Sequence, residues 1–185
     1  LLKDGAKAII DAVFGAREHR PDGIVSLADI MDEACKPIEQ GVSWPWDRLT
    51  ELTHGRRPGE LYAVGAGTGV GKTDVFSECI NHDVSMGIPT AVFAFEATPA
   101  ESARRIAGKH ASRTFHIPDS GWQPEELVES LNALQSSAPL FLYDSWGSTD
   151  WDRVESTIEY LVAAENVQHV YIDHLTAFAS GDARN

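Results

Sequence analysis

The chain has 185 residues, 43% of them hydrophobic, which is enough for one sizeable core with an appendage. Its formal net charge of -13 argues against a free-standing nucleic-acid clamp, which carries a basic face, although a ring-shaped motor needs only a few basic residues at its pore. Two cysteines are too few for a zinc cluster, and no apolar run nears the roughly 20 residues of a membrane span. Cys35 and Cys79 each follow a helical apolar pattern, so both are expected as buried thiols in a reducing compartment.

Residues 1–40 read as a helical arm for oligomerisation. Leu2, Ala6, Ile9, Ile10, Val13 and Phe14 recur at three- and four-residue steps, which predicts an amphipathic helix ending before the Pro21-Asp22-Gly23 turn. Ser26 caps a second short helix with Asp29 in the capping-box position, Leu27, Ile30, Met31 and Ala34 on its apolar side, and Pro37 beyond its end. From Gly41 to Gly59 the pattern is irregular, with Trp44, Pro45 and Trp46 as anchors. Strand and helix then alternate. Leu61–Val64, Thr90–Phe95, Leu140–Tyr143 and His169–Ile172 read as strands. Lys72–Val84 reads as a helix, and Thr98-Pro99-Ala100-Glu101 opens another with a cap, an N1 proline and an N3 glutamate. Pro124–Gln135 presents Leu127, Val128, Leu131 and Leu134 on one face. Trp151–Ala164 turns Trp151, Val154, Ile158, Leu161 and Val162 inward. This alternation predicts an α/β fold, a parallel sheet with helices on both faces, whose chemistry sits at the carboxyl ends of the strands.

The strongest motif is Gly65-Ala66-Gly67-Thr68-Gly69-Val70-Gly71-Lys72-Thr73, between an apolar strand and a helix. Polyphosphate is densely anionic and needs many donors at close quarters. Glycines let the loop curl with its N–H groups inward, and the following helix aims its positive end at the same point. Residues Ala66 to Thr73 form the expected nucleotide site, with Lys72 on the β- and γ-phosphates and the Thr73 hydroxyl on magnesium. Ala66 takes the slot where the P-loop pattern has its first glycine. A bare glycine-rich turn followed by a chance Lys-Thr is the competing reading, and the strand-loop-helix setting disfavours it.

Glu96 and Asp173 each follow an apolar strand. Hydrolysis needs one acid for hydrated magnesium and another to orient or deprotonate the attacking water, which suits Asp173 and Glu96 respectively. Either one alone also fits a strand-end carboxylate that caps the next helix. Arg104, Arg105 and Arg113 read as solvated helix charges. His174 reads as a packing or supporting residue, with contact to the γ-phosphate network as the other choice. The tryptophans Trp44, Trp46, Trp122 and Trp151 read as core or hinge residues ahead of base-stacking platforms.

The placement of Gly65–Thr73, Phe93-Ala94-Phe95-Glu96, Leu140-Phe141-Leu142-Tyr143-Asp144-Ser145 and Tyr171-Ile172-Asp173-His174 resembles the replicative hexameric helicases. Within them it is most similar to the helicase half of phage-type primase-helicases, with mitochondrial Twinkle and bacterial DnaB as relatives. The lead-in Trp46-Asp47-Arg48-Leu49 and Arg57-Pro58-Gly59-Glu60-Leu61 shares the likeness. The resemblance implies a RecA-like P-loop NTPase core over 41–185 that hydrolyses ATP or dTTP with magnesium. It implies Lys72, Glu96 and Asp173 as catalytic residues, and Thr73 with Asp173 as magnesium ligands. It further implies a ring, a hexamer, that translocates on single-stranded DNA, linked to a primase domain or partner, in the cytoplasm of a bacterial or phage-infected cell, with no membrane. A RecA- or KaiC-type ATPase switch that assembles on a partner without unwinding is the alternative.

The opening residues lack both a methionine and a signal-peptide layout, so the expectation is a piece of a larger protein. In RecA-like motors a further strand lies between the Walker B strand and the P-loop strand. Here it would follow the polar run Ser180–Asn185, as would the DNA loops and the arginine finger, so residues 1–185 alone are expected to be inactive. The Leu1–Phe14 helix is expected to dock on a neighbouring subunit.

Overall fold

A computed structural model describes residues 24–144 and 150–174, and the chain divides into two compact units, Leu1–Glu39 and Gln40–Asn185. The Leu1–Phe14 helix, the Pro21–Gly23 turn, Ser145 and the run Ser180–Asn185 lie outside the described residues.

In the first unit, helix α1 covers Leu27–Ala34. Its capping box forms as the sequence requires: the Asp29 N–H donates to Ser26 Oγ at 3.3 Å, and the Ser26 N–H donates to Asp29 Oδ2 at 3.0 Å. The helix has no buried residue, and Leu27, Ile30 and Met31 are all exposed. Cys35, expected to be buried, is exposed for the same reason.

The second unit begins with a segment whose order depends on close backbone approach. Val42 and Arg56 form an antiparallel bridge, and a Cβ on Gly41 would lie 2.4 Å from the Arg56 carbonyl carbon. Only glycine fits there. Between them lies helix α2, Asp47–Thr53, where the sequence reading expected irregular chain. Seven residues show too little periodicity to read, and what holds the helix is Trp44. Its backbone N–H donates to Thr50 Oγ1 and its indole N–H to Thr53 Oγ1, both at 2.9 Å. Trp44 is buried as an anchor, whereas Trp46 is exposed.

The remaining elements are α3 (Lys72–Ser85), β1 (Thr90–Ala94), α4 (Pro99–Ala111), α5 (Pro124–Ser137), β2 (Leu140–Leu142), α6 (Trp151–Glu165) and β3 (His169–Asp173). The three strands form a parallel sheet in the order β2-β1-β3. Alternate residues face opposite ways, so the strands feed two cores. Val92, Ala94, Leu140, Leu142 and Tyr171 pack against α3, α4 and α5. Ala91, Phe93, Phe141, Tyr143, Val170 and Ile172 pack against α6 through Val154, Ile158 and Leu161. The α/β reading with helices on both faces therefore holds.

Three side chains expected to point inward do not: Val128, Trp151 and Val162 are exposed. Each lies at the margin of its helix's apolar stripe, beyond reach of the sheet. Leu61–Val64 is the larger correction. It is not a strand, Leu61 and Val64 are exposed, and the segment does not pair with β3. A strand exists only with a ladder partner, and none of the described residues supplies one.

Sequence reading did not anticipate a buried polar knot. Arg56 donates two hydrogen bonds to Asp83 of α3, from Nη1 at 2.9 Å and from Nη2 at 2.5 Å. The Tyr171 hydroxyl of β3 donates to Asp83 Oδ2 at 2.6 Å and accepts from Arg56 at 2.7 Å, while His169 Nδ1 lies 2.5 Å from the same oxygen. The Arg56 guanidinium also covers the Trp44 ring at 4.8 Å. Burial pushes the Asp83 carboxyl up, but the hydrogen bonds from His169, Arg56 and Tyr171 outweigh it and hold it below the usual range. The signal for this knot was a carboxylate at an inward helical position, between Ile80 and Val84, where an acid stands only if paired.

Asp83→Asn should leave Arg56 buried and short of its counter-charge, lowering stability by about 3–5 kcal/mol in a denaturant titration. Since the Asp83 pKa is lowered on folding, its contribution is present above the unfolded value and is lost as pH falls below about 4. The wild-type protein should therefore lose stability across that window, and Asp83→Asn should lose less.

Candidate active site

The loop 65–71 leads into α3 at Gly71, which takes φ 97° as the helix N-cap, a left-handed conformation suited to glycine. The Asp74 and Val75 N–H groups donate to the Gly71 carbonyl at 3.1 and 3.0 Å. No side chain caps this helix end, so its first N–H groups and its positive pole stay available to an anion. Lys72 Nζ folds back over the loop and donates to the carbonyls of Ala66 (2.7 Å) and Gly67 (2.9 Å). Its ammonium is thereby held against the loop by two carbonyl acceptors.

One residue on, the Thr73 hydroxyl donates to Asp173 Oδ2 at 2.8 Å, across 100 positions of sequence. Asp173 is the last residue of β3 and is in register with Ala94, the last of β1. The Phe95 N–H donates to the Asp173 carbonyl at 2.8 Å, which extends the ladder one step and delivers Glu96 to the same edge. Glu96 Oε1 lies 3.4 Å from His174 Nε2. Three of the expected site residues, Thr73, Glu96 and Asp173, line one cavity of about 180 Å³ between α3, β1 and α4. Lys72 and residues 66–71 are not part of its wall; residues 66–71 are exposed and Lys72 is half-buried.

The cavity adds residues that the sequence reading gave no role in the site. Glu101 had been read as a helix-start residue; with Ser102 and Arg105 it forms the α4 wall, above an apolar floor of Phe76, Ile80, Val92 and Ala94. Arg105 is thus not a simply solvated charge: it is half-buried and lies 3.3 Å from Glu101. The one-turn spacing of Glu101 and Arg105 was the available signal. Arg113 pairs with Glu126 at 2.7 Å, away from the cavity. Trp122 packs edge-on to Phe115, as a core residue would.

The donor set suits a hard, hydrated cation. Thr73 and Asp173 contribute a hydroxyl and a carboxylate oxygen, and no group of three His, Cys, Asp or Glu gathers among the described residues. Magnesium matches this pattern, since it usually takes one or two protein oxygens and completes its shell with phosphate and water. Among the described residues, no helix is long and apolar enough to cross a membrane.

The chain is 23% identical over 184 residues to the DNA helicase/primase of Enterobacteria phage T3, covering 94% of this chain and 32% of that protein. It is 26% identical over 200 residues to the replicative DNA helicase DnaB of Leifsonia xyli subsp. xyli (strain CTCB07), covering 97% of this chain and 42% of that one. The chain therefore spans less than half the length of either relative. The family model of the DnaB-like helicase C terminal domain matches residues 41–185. With its RecA-like α/β fold, the chain belongs to the DnaB-like helicase C terminal domain family.

Proposed function

We propose that residues 41–185 form the nucleotide-hydrolysing motor core of a ring-shaped replicative helicase that translocates on single-stranded DNA, consuming ATP or dTTP. The observation that carries this reading is the 2.8 Å contact between Thr73 and Asp173, with Glu96 on the wall of the same cavity. It joins the helix start after the loop to the carboxyl edge of the sheet, where phosphoryl-transfer chemistry needs its donors and acids.

In this mechanism the loop N–H groups and Lys72 bind the phosphates. Thr73 and Asp173 would hold magnesium, which would supply positive charge to offset that of the phosphates. Glu96 orients the attacking water and accepts its proton at a carboxylate oxygen. In the assembled protein, basic residues elsewhere contact the DNA, a hexamer brings nucleotide between neighbouring subunits, and a primase domain or partner shares the replication task. This last part is supported by the relatives' names, one of them a helicase/primase.

Lys72→Ala should weaken nucleotide binding by roughly a hundredfold in a fluorescent-nucleotide titration, since a charge-assisted contact is lost. Unchanged affinity would remove the P-loop from the mechanism. Glu96→Gln in the full-length protein should retain binding and lose turnover by about a hundredfold or more. Stimulation of phosphate release by single-stranded DNA separates the motor from a partner-bound ATPase switch, which would show none.

A further inference from the structure

Glu96 poses a problem for the mechanism just given. Its side chain is 73% exposed, so nothing in its own packing selects the rotamer that faces the cavity. A general base must stand within about 3 Å of the proton it takes, and a freely rotating carboxylate spends most of its time elsewhere. Among the described residues, its ion-pair contact within 4 Å is with His174, whose Nε2 lies 3.4 Å from Glu96 Oε1.

The surroundings of the imidazole decide which nitrogen carries the proton. Nδ1 is buried and has no hydrogen-bond partner among the described residues. A proton on Nδ1 would leave a buried donor unmet and would set the bare lone pair of Nε2 against a carboxylate oxygen, two penalties at once. With the proton on Nε2 the ring donates toward Glu96, and only a bare nitrogen is left inside. The backbone holds the donor in place: the β1–β3 ladder runs through Ala94–Asp173 to the Phe95–Asp173 hydrogen bond, so His174 and Glu96 leave adjacent strands one step later.

We propose that His174 is a positioning residue for Glu96, donating from Nε2 to the carboxylate and holding its second oxygen toward the cavity where the attacking water is deprotonated. The proposal rests on Glu96 being the base. At 3.4 Å the two groups are in ion-pair contact without a formed hydrogen bond, as catalytic contacts often are before substrate binds, and the exposed Glu96 side chain has room to reorient.

The test uses the full-length protein with nucleotide, magnesium and single-stranded DNA. H174A should lower kcat about tenfold, the loss of one charge-assisted hydrogen bond, while KM and fluorescent-nucleotide affinity stay unchanged. H174Q, which keeps a donor of similar reach, should recover most of kcat, and this guards against a variant that fails only because it folds badly. In single-turnover measurements on an E96Q background, H174A should have no further effect, because there is no base left to position. In a crystal structure of H174A, Glu96 should leave the rotamer it holds in the parent. If H174A turns over normally while E96Q is inactive, His174 is idle and this proposal fails alone. Equal losses from H174A in both backgrounds, with no rescue by H174Q, would make the residue a packing element and overturn the proposal. An E96Q variant with full turnover would remove the base itself, and the proposal with it.

Discussion

Asp83 is the constraint on which the rest of the second unit depends. A carboxylate with no exposed surface has to be satisfied from several directions at once. It is satisfied by Arg56 from the entry segment and by His169 and Tyr171 from β3. Such a pair adds little net stability over an apolar replacement, yet losing one partner is costly, so its effect is to fix a single arrangement. The same carboxylate keeps the Tyr171 hydroxyl protonated: burial first, then the neighbouring charge, moves its pKa far upward. Burial likewise raises the nearby Cys79 thiol to about 11, leaving it unreactive.

The knot lies far from the site but sets its geometry. Asp83 is ten residues from Thr73 along α3, about 15 Å of helix. His169 is four residues from Asp173 along β3, about 13 Å of strand. Helix and strand run in opposite directions and are clamped at one end, so these similar lengths bring Thr73 and Asp173 together at the other. The 2.8 Å contact between them is where that match is realised. The β1–β3 register supplies the third group, because pairing Ala94 with Asp173 carries Glu96 just past the same edge.

The acidic balance of the chain would work against a phosphate site unless nearby carboxylates were engaged. Lys109 of α4 holds Asp74 at 2.7 Å and approaches Glu78 at 3.6 Å, both on the first turns of α3. Arg105 faces Glu101 on the cavity wall. Pairs this exposed contribute little to stability. Their consequence is electrostatic: they reduce the negative potential at the loop mouth, so that Lys72 and the helix pole remain attractive to a polyanion.

The sequence by itself determined most of the local elements and the placement of a glycine-rich loop directly ahead of α3. Ser26 with Asp29, Thr98 with Pro99, and Gly71 with Lys72 each specify a helix start through contacts a few residues apart. The period-two and period-3.6 apolar patterns then specify β1, β2, β3 and the helices that cover them. Family likeness suggested roles for Lys72 and Thr73 at the start of α3 and for Glu96 and Asp173 at strand ends. Only the tertiary structure decided the rest, because it depends on partners distant in the chain. Leu61–Val64 has the composition of a strand, yet a strand is made by its neighbour, and no described segment pairs with it. Cys35 has a helical apolar setting, but α1 buries nothing. The Arg56–Asp83 pair, the cavity wall of Glu101 and Arg105, and the meeting of His174 with Glu96 join residues whose closeness no local rule encodes, apart from the single helical turn between Glu101 and Arg105. Side-chain periodicity tells which way a residue faces; what it faces is settled by the packing of elements that the chain brings back from elsewhere.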